Sequence, residues 1–215
     1  MSHRFQLPSL LALAVLVLAP PSPGHGQSVP AVKTLDFDIV RKGDVIGHYH
    51  TEFAERQDHR LEVLTRIDAA ITAGPIRLYH FRHRSTETWV AGRLVAFSGD
   101  TDDDGEQHRL DVASGPSGLQ LTVDGKAPVQ VADAVPSSLW SRAMLDGGRA
   151  VFDIGDGQLL RTDSHCGADV TPTAAKAVAS CRVEGDLIRT LDYDADGLLA
   201  GLSFPAEDGS KVMYR

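Results

Sequence analysis

The sequence predicts an all-β protein, a strongly curved antiparallel sheet or half-open barrel with one short helix. Three observations lead there. Between Arg60 and Ile71, the residues Leu61, Val63, Thr65, Ile67, Ala69 and Ile71 share one parity, the period of two that gives a strand one buried face. Turn chemistry recurs along the chain, at Lys42-Gly43, Gly74-Pro75, Gly92, Gly105, Asp124-Gly125, Gly155-Asp156-Gly157, Gly185-Asp186, Asp196-Gly197 and Asp208-Gly209, as in a meander. One segment, from about Ser137 to Leu145, reads as a short helix or a few turns.

In chain order, Leu35, Phe37 and Ile39 alternate with Asp36 and Asp38 in a first strand that turns through Lys42-Gly43-Asp44 into Val45–Glu55. The strand from Arg60 stops at Gly74-Pro75, and Ile76 to Thr86 and Trp89 to Ser98 form the next pair, with Gly92 supplying a turn. Gln107–Ala113 and Gly118–Val123 make a further hairpin, where Leu119, Leu121 and Val123 alternate ahead of Asp124-Gly125. Pro136 or a following serine then opens the helix, on which Leu139, Trp140, Ala143 and Met144 share a face, and Gly147-Gly148 ends it. Strands follow near Ala150–Phe152, Gln158–Asp163, Ala177–Val183, Leu187–Tyr193, Leu198–Phe204 and Lys211–Tyr214. About a dozen strands in an open sheet leave edges that pair with other chains, so the sheet is expected to curl or close.

The N-terminus reads as a secretory signal peptide over residues 1–26: Arg4 precedes the apolar run Leu10–Ala19, and the small and breaker residues PPSPGHG follow. That apolar run is shorter than the roughly 20 residues a bilayer requires, so no transmembrane segment is expected after cleavage. Residues 27–215 are then expected to form a single antiparallel β domain, located in the periplasm or secreted. The chain has 21 Lys+Arg and 29 Asp+Glu, a formal net charge of −8; only Arg4 leaves with the leader, and 20 against 29 makes −9. A balance this acidic argues against nucleic acid as a partner. Cys166 and Cys181 enclose a short loop in an exported chain, and a disulfide between them is the default.

No nucleophile elbow, phosphate loop or cysteine-rich zinc spacing occurs, and Gly115-Pro116-Ser117-Gly118 reads as a turn. Asp100, Asp102, Asp104, Gly105 and Asp192, Asp194, Asp196, Gly197 each match the opening of a calcium loop, yet Asp111 and Ser203 stand where its closing glutamate belongs. Hairpin turns rich in Asp and Gly account for both, and no metal or other cofactor is expected. His48 and His50 lie on one strand face, His80 and His83 on opposite faces, and nothing in the spacing dictates a third ligand. Tyr79, Glu87, Trp89 and Trp140 are the candidate ligand-contacting residues. Glu87 and Trp89 share a face and can floor a polar-aromatic site, and Trp140 on the helix can lie across the open side. The structural alternative is preferred for Glu87 and Trp89: the carboxylate accepts a hydrogen bond from Arg82, Arg84 or Arg93 while the indole packs in the core.

Gly43, Ile46-Gly47, Tyr79-His80-Phe81-Arg82-His83, Glu87-Thr88-Trp89, Gly92-Arg93-Leu94, Thr101-Asp102-Asp103-Asp104-Gly105, Ser138-Leu139-Trp140 and Tyr193-Asp194-Ala195-Asp196-Gly197-Leu198 occur in this order. In this the chain resembles an uncharacterised family of exported bacterial proteins, known mainly as a domain of unknown function, over nearly its whole mature length. No site residues are established for that family, so the resemblance implies none. More distantly, the chain looks like the half-barrels of periplasmic lipoprotein carriers, which hold an apolar ligand against a concave face, a likeness of fold alone. An aromatic content of 6% leaves fewer large side chains to line such a cavity. The expected function is non-catalytic binding of a lipid or other apolar or amphipathic small molecule, or of an envelope protein. The alternatives are an interaction scaffold without a cavity and a hydrolase-type enzyme with an unrecognised site. An apolar cavity on the concave side favours the ligand binder, a filled interior the interaction protein.

Overall fold

The structure, a computed structural model, describes residues 32–215; the expected leader lies outside the described residues. The strands are β1 (Thr34–Arg41), β2 (Asp44–Glu55), β3 (Arg60–Ala73), β4 (Ile76–Val90), β5 (Arg93–Asp103), β6 (Glu106–Gly115), β7 (Gly118–Val123), β8 (Val129–Val131), β9 (Ala134–Pro136), β10 (Ala150–Phe152), β11 (Leu159–Leu160), β12 (Thr162–Cys166), β13 (Ala179–Gly185), β14 (Arg189–Tyr193), β15 (Leu199–Pro205) and β16 (Lys211–Tyr214). Thirteen of them form one antiparallel sheet in the order β12-β13-β14-β15-β16-β1-β2-β3-β4-β5-β6-β7-β8, which is not closed into a barrel. Pairing of β1 with β16, Ile39 opposite Tyr214, joins the first and last strands in mid-sheet. Two-residue turns at Lys42-Gly43, Ala91-Gly92 and Asp104-Gly105 have both residues at positive φ, the hand that matches strand twist, which is why Gly takes the second place in each.

The remaining strands, β9, β10 and β11, form a small separate sheet with β9 and β10 parallel, which the meander pattern did not predict. It sits against the inner face of the large sheet, and the two share one hydrophobic core: Val135 and Phe152 are buried with Phe97, Leu110 and Leu121. The Phe97 and Phe152 rings meet edge to face at 5.6 Å. Each such side chain contributes about 1.5–3 kcal/mol on burial, so the segment from β9 to β10 fills the concave side with its own apolar groups.

Three local expectations are corrected. The strand expected to end at Thr86 continues as β4 to Val90, because Ser85, Glu87 and Trp89 all point inward where their polar atoms find partners. The strand expected to end at Ser98 runs on as β5 to Asp103, its acidic residues pairing across the ladder with Arg82 and Arg109. The short helix or few turns expected from about Ser137 to Leu145 contract to a single 3₁₀ turn over Arg142–Leu145, with Ser141 as its N-cap. The preceding residues are drawn away from helical geometry by tertiary bonds: the Ser137 amide donates to Phe152 O at 2.8 Å, and Ser138 and Trp140 reach Glu87.

Cys166 and Cys181 stand directly opposite each other in the β12–β13 ladder and form the disulfide, with an S–S separation of 1.98 Å. It ties an edge strand of the large sheet to its neighbour. Thiol labelling under denaturing conditions is expected to find neither cysteine free, and reduction is expected to cost about 2 kcal/mol of stability. Labelling at both positions in untreated protein contradicts this.

Candidate functional site

β4 and the segment after β9 together build the most unusual environment in the molecule. Alternation along β4 turns Glu87 and Trp89 to the inner face, and the chain leaving β9 lays Ser138 and Trp140 over them. Glu87 is 1% exposed. Its carboxyl accepts hydrogen bonds from Trp89 Nε1 at 2.7 Å, from Ser138 Oγ at 2.5 Å and from Trp140 Nε1 at 3.2 Å. The two indoles meet edge to face at 5.5 Å, and Phe53 packs on Trp140 at 5.4 Å. Burial pushes the Glu87 carboxyl above the ordinary carboxylate range, while Ser138, Trp89 and Trp140 draw it back by stabilising the anion.

The structure thus brings Glu87, Trp89 and Trp140 together, with all three buried. The partner expected to be an arginine is instead a pair of indoles and a serine, because Arg82, Arg84 and Arg93 lie on the opposite face of their strands or beyond the turn. Tyr79 is elsewhere. It lies eight residues up β4, roughly 26 Å along the strand, half-buried, with burial and a hydrogen bond to Asp103 raising its pKa.

Further along the inner face runs a polar stripe that sequence reasoning did not assemble. His83, 0% exposed, bonds Thr101 Oγ1 through Nδ1 at 2.9 Å and Ser85 Oγ through Nε2 at 3.0 Å, and the Thr51 and Thr65 hydroxyls meet at 3.0 Å. The shared parity of His83, Ser85, Glu87 and Trp89 is the signal that would have placed His83 inside. Burial pushes the His83 imidazole down to about 4, which makes it a weak base, and its second nitrogen faces a threonine hydroxyl and not a carboxylate. The His83–Ser85 pair therefore has a hydroxyl where a Ser-His-acid triad has its orienting acid. The hydroxyl of Tyr193 and Nε of Arg189 are buried without a hydrogen-bond partner, while the Tyr49 hydroxyl faces those of Thr51 and Thr65.

The acidic stretches serve turns and loops. Asp102 Oδ1 accepts from the Gly105 amide at 2.9 Å and pairs with Arg82. Asp192, 0% exposed, accepts from Thr173 N, Thr173 Oγ1, Ala174 N and Ser180 Oγ, and Asp194 accepts from the Asp196 and Leu198 amides. His48 and His50 share the outer face, where they pair with Asp38 and with Asp36 and Glu52. Among the described residues no three His, Cys, Asp or Glu side chains converge as a metal site.

One open cleft, of about 420 Å³, lies at the rim of the sheet where β4, β5, β6 and β7 meet the loop after β10. Phe81 and Val123 give it an apolar floor. Asp103, Glu106, Asp124 and Asp156 supply four carboxylates against His108 and Lys126. His108 lies 3.4 Å from Asp124 and 3.5 Å from Glu106. A second cleft of about 230 Å³ adjoins the disulfide, between His165, Asp169 and Arg182.

Fold and site together define a plugged, unclosed β half-barrel. The chain belongs to the domain-of-unknown-function family DUF6134, whose profile matches residues 37–215. It is also similar in fold to a crystal structure of a beta-barrel-like protein of domain of unknown function DUF1849 from Brucella abortus, with a TM-score of 0.57 and 12% sequence identity over 85% of this chain and 94% of that chain. No curated protein matches the chain. Among the described residues no helix is long and apolar enough to cross a membrane.

Proposed function

We propose that this is an exported, non-catalytic envelope protein that acts by presenting its surface and rim to a partner, its concave side being reserved for its own chain. The observation that carries this reading is the filled interior: Ser138 and Trp140 are fixed to Glu87, and Val135 and Phe152 occupy the space a carrier keeps for its ligand. Export is supported by the leader-like N-terminus and by the disulfide, a bond that persists in oxidising compartments.

A second reading, a carrier of an amphipathic molecule, draws on one specific observation. The Tyr193 hydroxyl and Arg189 Nε are buried without partners, and a polar headgroup admitted by withdrawal of the plug would supply them. Native mass spectrometry of protein purified from the periplasm separates the two. The surface reading expects the bare mass in repeated preparations from lipid-rich extracts, and a stoichiometric co-purified lipid overturns it.

A further inference from the structure

The hairpin between β3 and β4 outgrows the sheet. β2 pairs with β3 only as far as Ala69, and β5 pairs with β4 only from Phe81 onward, the Asp104 amide then donating to His80 O, so Ala70–Ala73 and Ile76–Tyr79 project as a bare two-stranded ribbon. Residues 72 to 78 are all exposed, and the large side chains of Ile76 and Leu78 are 62% and 59% exposed. By register, Ile71 stands opposite Tyr79 and Ala73 opposite Ile76, on the face that carries Ala69 and Phe81 inward lower down. From Phe81 and Tyr79 at its base, the inner wall of the half-barrel thus continues upward as an apolar surface of Ile71, Ala73 and Ile76, rising about 13 Å above its neighbours.

This wall meets the 420 Å³ cleft at its base, where Phe81 lines the cleft. Across from it the cleft holds Glu106, Asp124, Asp156 and Asp103 against one lysine and one histidine. The same negative field reaches the ribbon, for Asp103, Asp104 and Glu207 all act on the Tyr79 hydroxyl. An apolar wall beside a cleft rimmed by carboxylates complements a ligand with the opposite arrangement. The excess carboxylates disfavour an anionic bilayer, and the four-residue bare edges, closed at the tip by Pro75, are short for strand addition.

We infer that the inner face of the β3–β4 ribbon and the cleft beneath it bind a cationic amphipathic segment of another envelope protein, apolar side to Ile76 and Tyr79, basic side to Glu106 and Asp156. This rests on the surface-presenting function proposed above and gives it a place and a partner chemistry. Each half of the groove supplies what the other lacks: the carboxylates raise the encounter rate and select the charge, and the apolar wall slows release.

The probe is a synthetic leucine–lysine peptide, with a leucine–glutamate peptide of the same pattern as control, titrated against the mature protein by fluorescence anisotropy at low and physiological salt. The lysine peptide is expected to bind at least about tenfold more tightly than the glutamate peptide, and to weaken as salt rises. Ile76→Ser, at an exposed position that leaves the thermal midpoint unchanged, is expected to weaken it about tenfold, as is the pair Glu106→Gln with Asp156→Asn. Val178→Ser, an equally exposed apolar site away from the groove, changes nothing. Lysine-peptide binding that is indifferent to Ile76→Ser, or that falls as much with Val178→Ser, overturns the site, since an acidic protein attracts any cation. Binding of phosphatidylglycerol vesicles that Ile76→Ser abolishes overturns the occupant in favour of lipid. Neither result touches the surface-presenting function, which stands or falls on the bare mass of the purified protein.

Discussion

Glu87→Ala lowers the stability of the fold by about 3–5 kcal/mol, an expected drop in the thermal midpoint on the order of 10 °C for a domain of this size. The substitution removes the one acceptor shared by Trp89 Nε1, Trp140 Nε1 and Ser138 Oγ, leaving three buried donors without a partner. It also releases the segment after β9 from the sheet, so Trp140 loses its fixed place between Trp89 and Phe53. Glu87→Gln keeps one acceptor oxygen but turns an amide N–H₂ toward an indole N–H, and an intermediate loss is expected. A cycle with Trp140→Phe measures the coupling, since the two changes share one bond and are not additive. A midpoint for Glu87→Ala within about 2 °C of the parent protein shows that the carboxyl does not hold the plug.

Acid weakens the protein through His83. Its folded-state pKa is held down to about 4 by burial, whereas the unfolded chain protonates near the ordinary 6.5. In the window between those values the unfolded state binds the proton and the folded state does not. The stability due to a neutral His83 is therefore complete above pH 6.5 and is lost as pH falls toward 4, about 3 kcal/mol in all. Glu87 works in the opposite sense, because its raised pKa lets the folded state hold a proton that the unfolded state has released. The measurement is accordingly the difference between the pH–stability curves of the parent protein and His83→Gln. The parent curve is expected to be steeper between pH 6.5 and 4, and parallel curves rule out His83 as the titrating group.

Much of the fold was legible because strand alternation and turn chemistry are local. Leu61, Val63, Ile67 and Ala69 are buried as their parity requires, and Lys42-Gly43 and Asp104-Gly105 turn where the sequence put turns. The candidate site was legible only in part. Glu87 and Trp89 were paired correctly because two residues apart on a strand share a face, but their real partners sit 51 and 53 residues away at Ser138 and Trp140. The shortening of the expected helix or turns over Ser137–Leu145 to Arg142–Leu145 has the same origin. Its spacing suits a helix, yet a buried carboxyl in need of donors attracts Ser138 and Trp140 more strongly than helical propensity holds them.

The sequence by itself determined which residues face inward, where the chain reverses and that the product is a sheet, since periods of two and glycine-bearing turns act over a few residues. Only the tertiary structure decided that the first and last strands meet, that β9 and β10 run parallel inside the curve, and that the β3–β4 hairpin outgrows the sheet near a cleft rich in carboxylates. Those features depend on which distant groups satisfy one another once water is excluded, and a buried acceptor such as Glu87 accepts a donor from anywhere in the chain that can reach it.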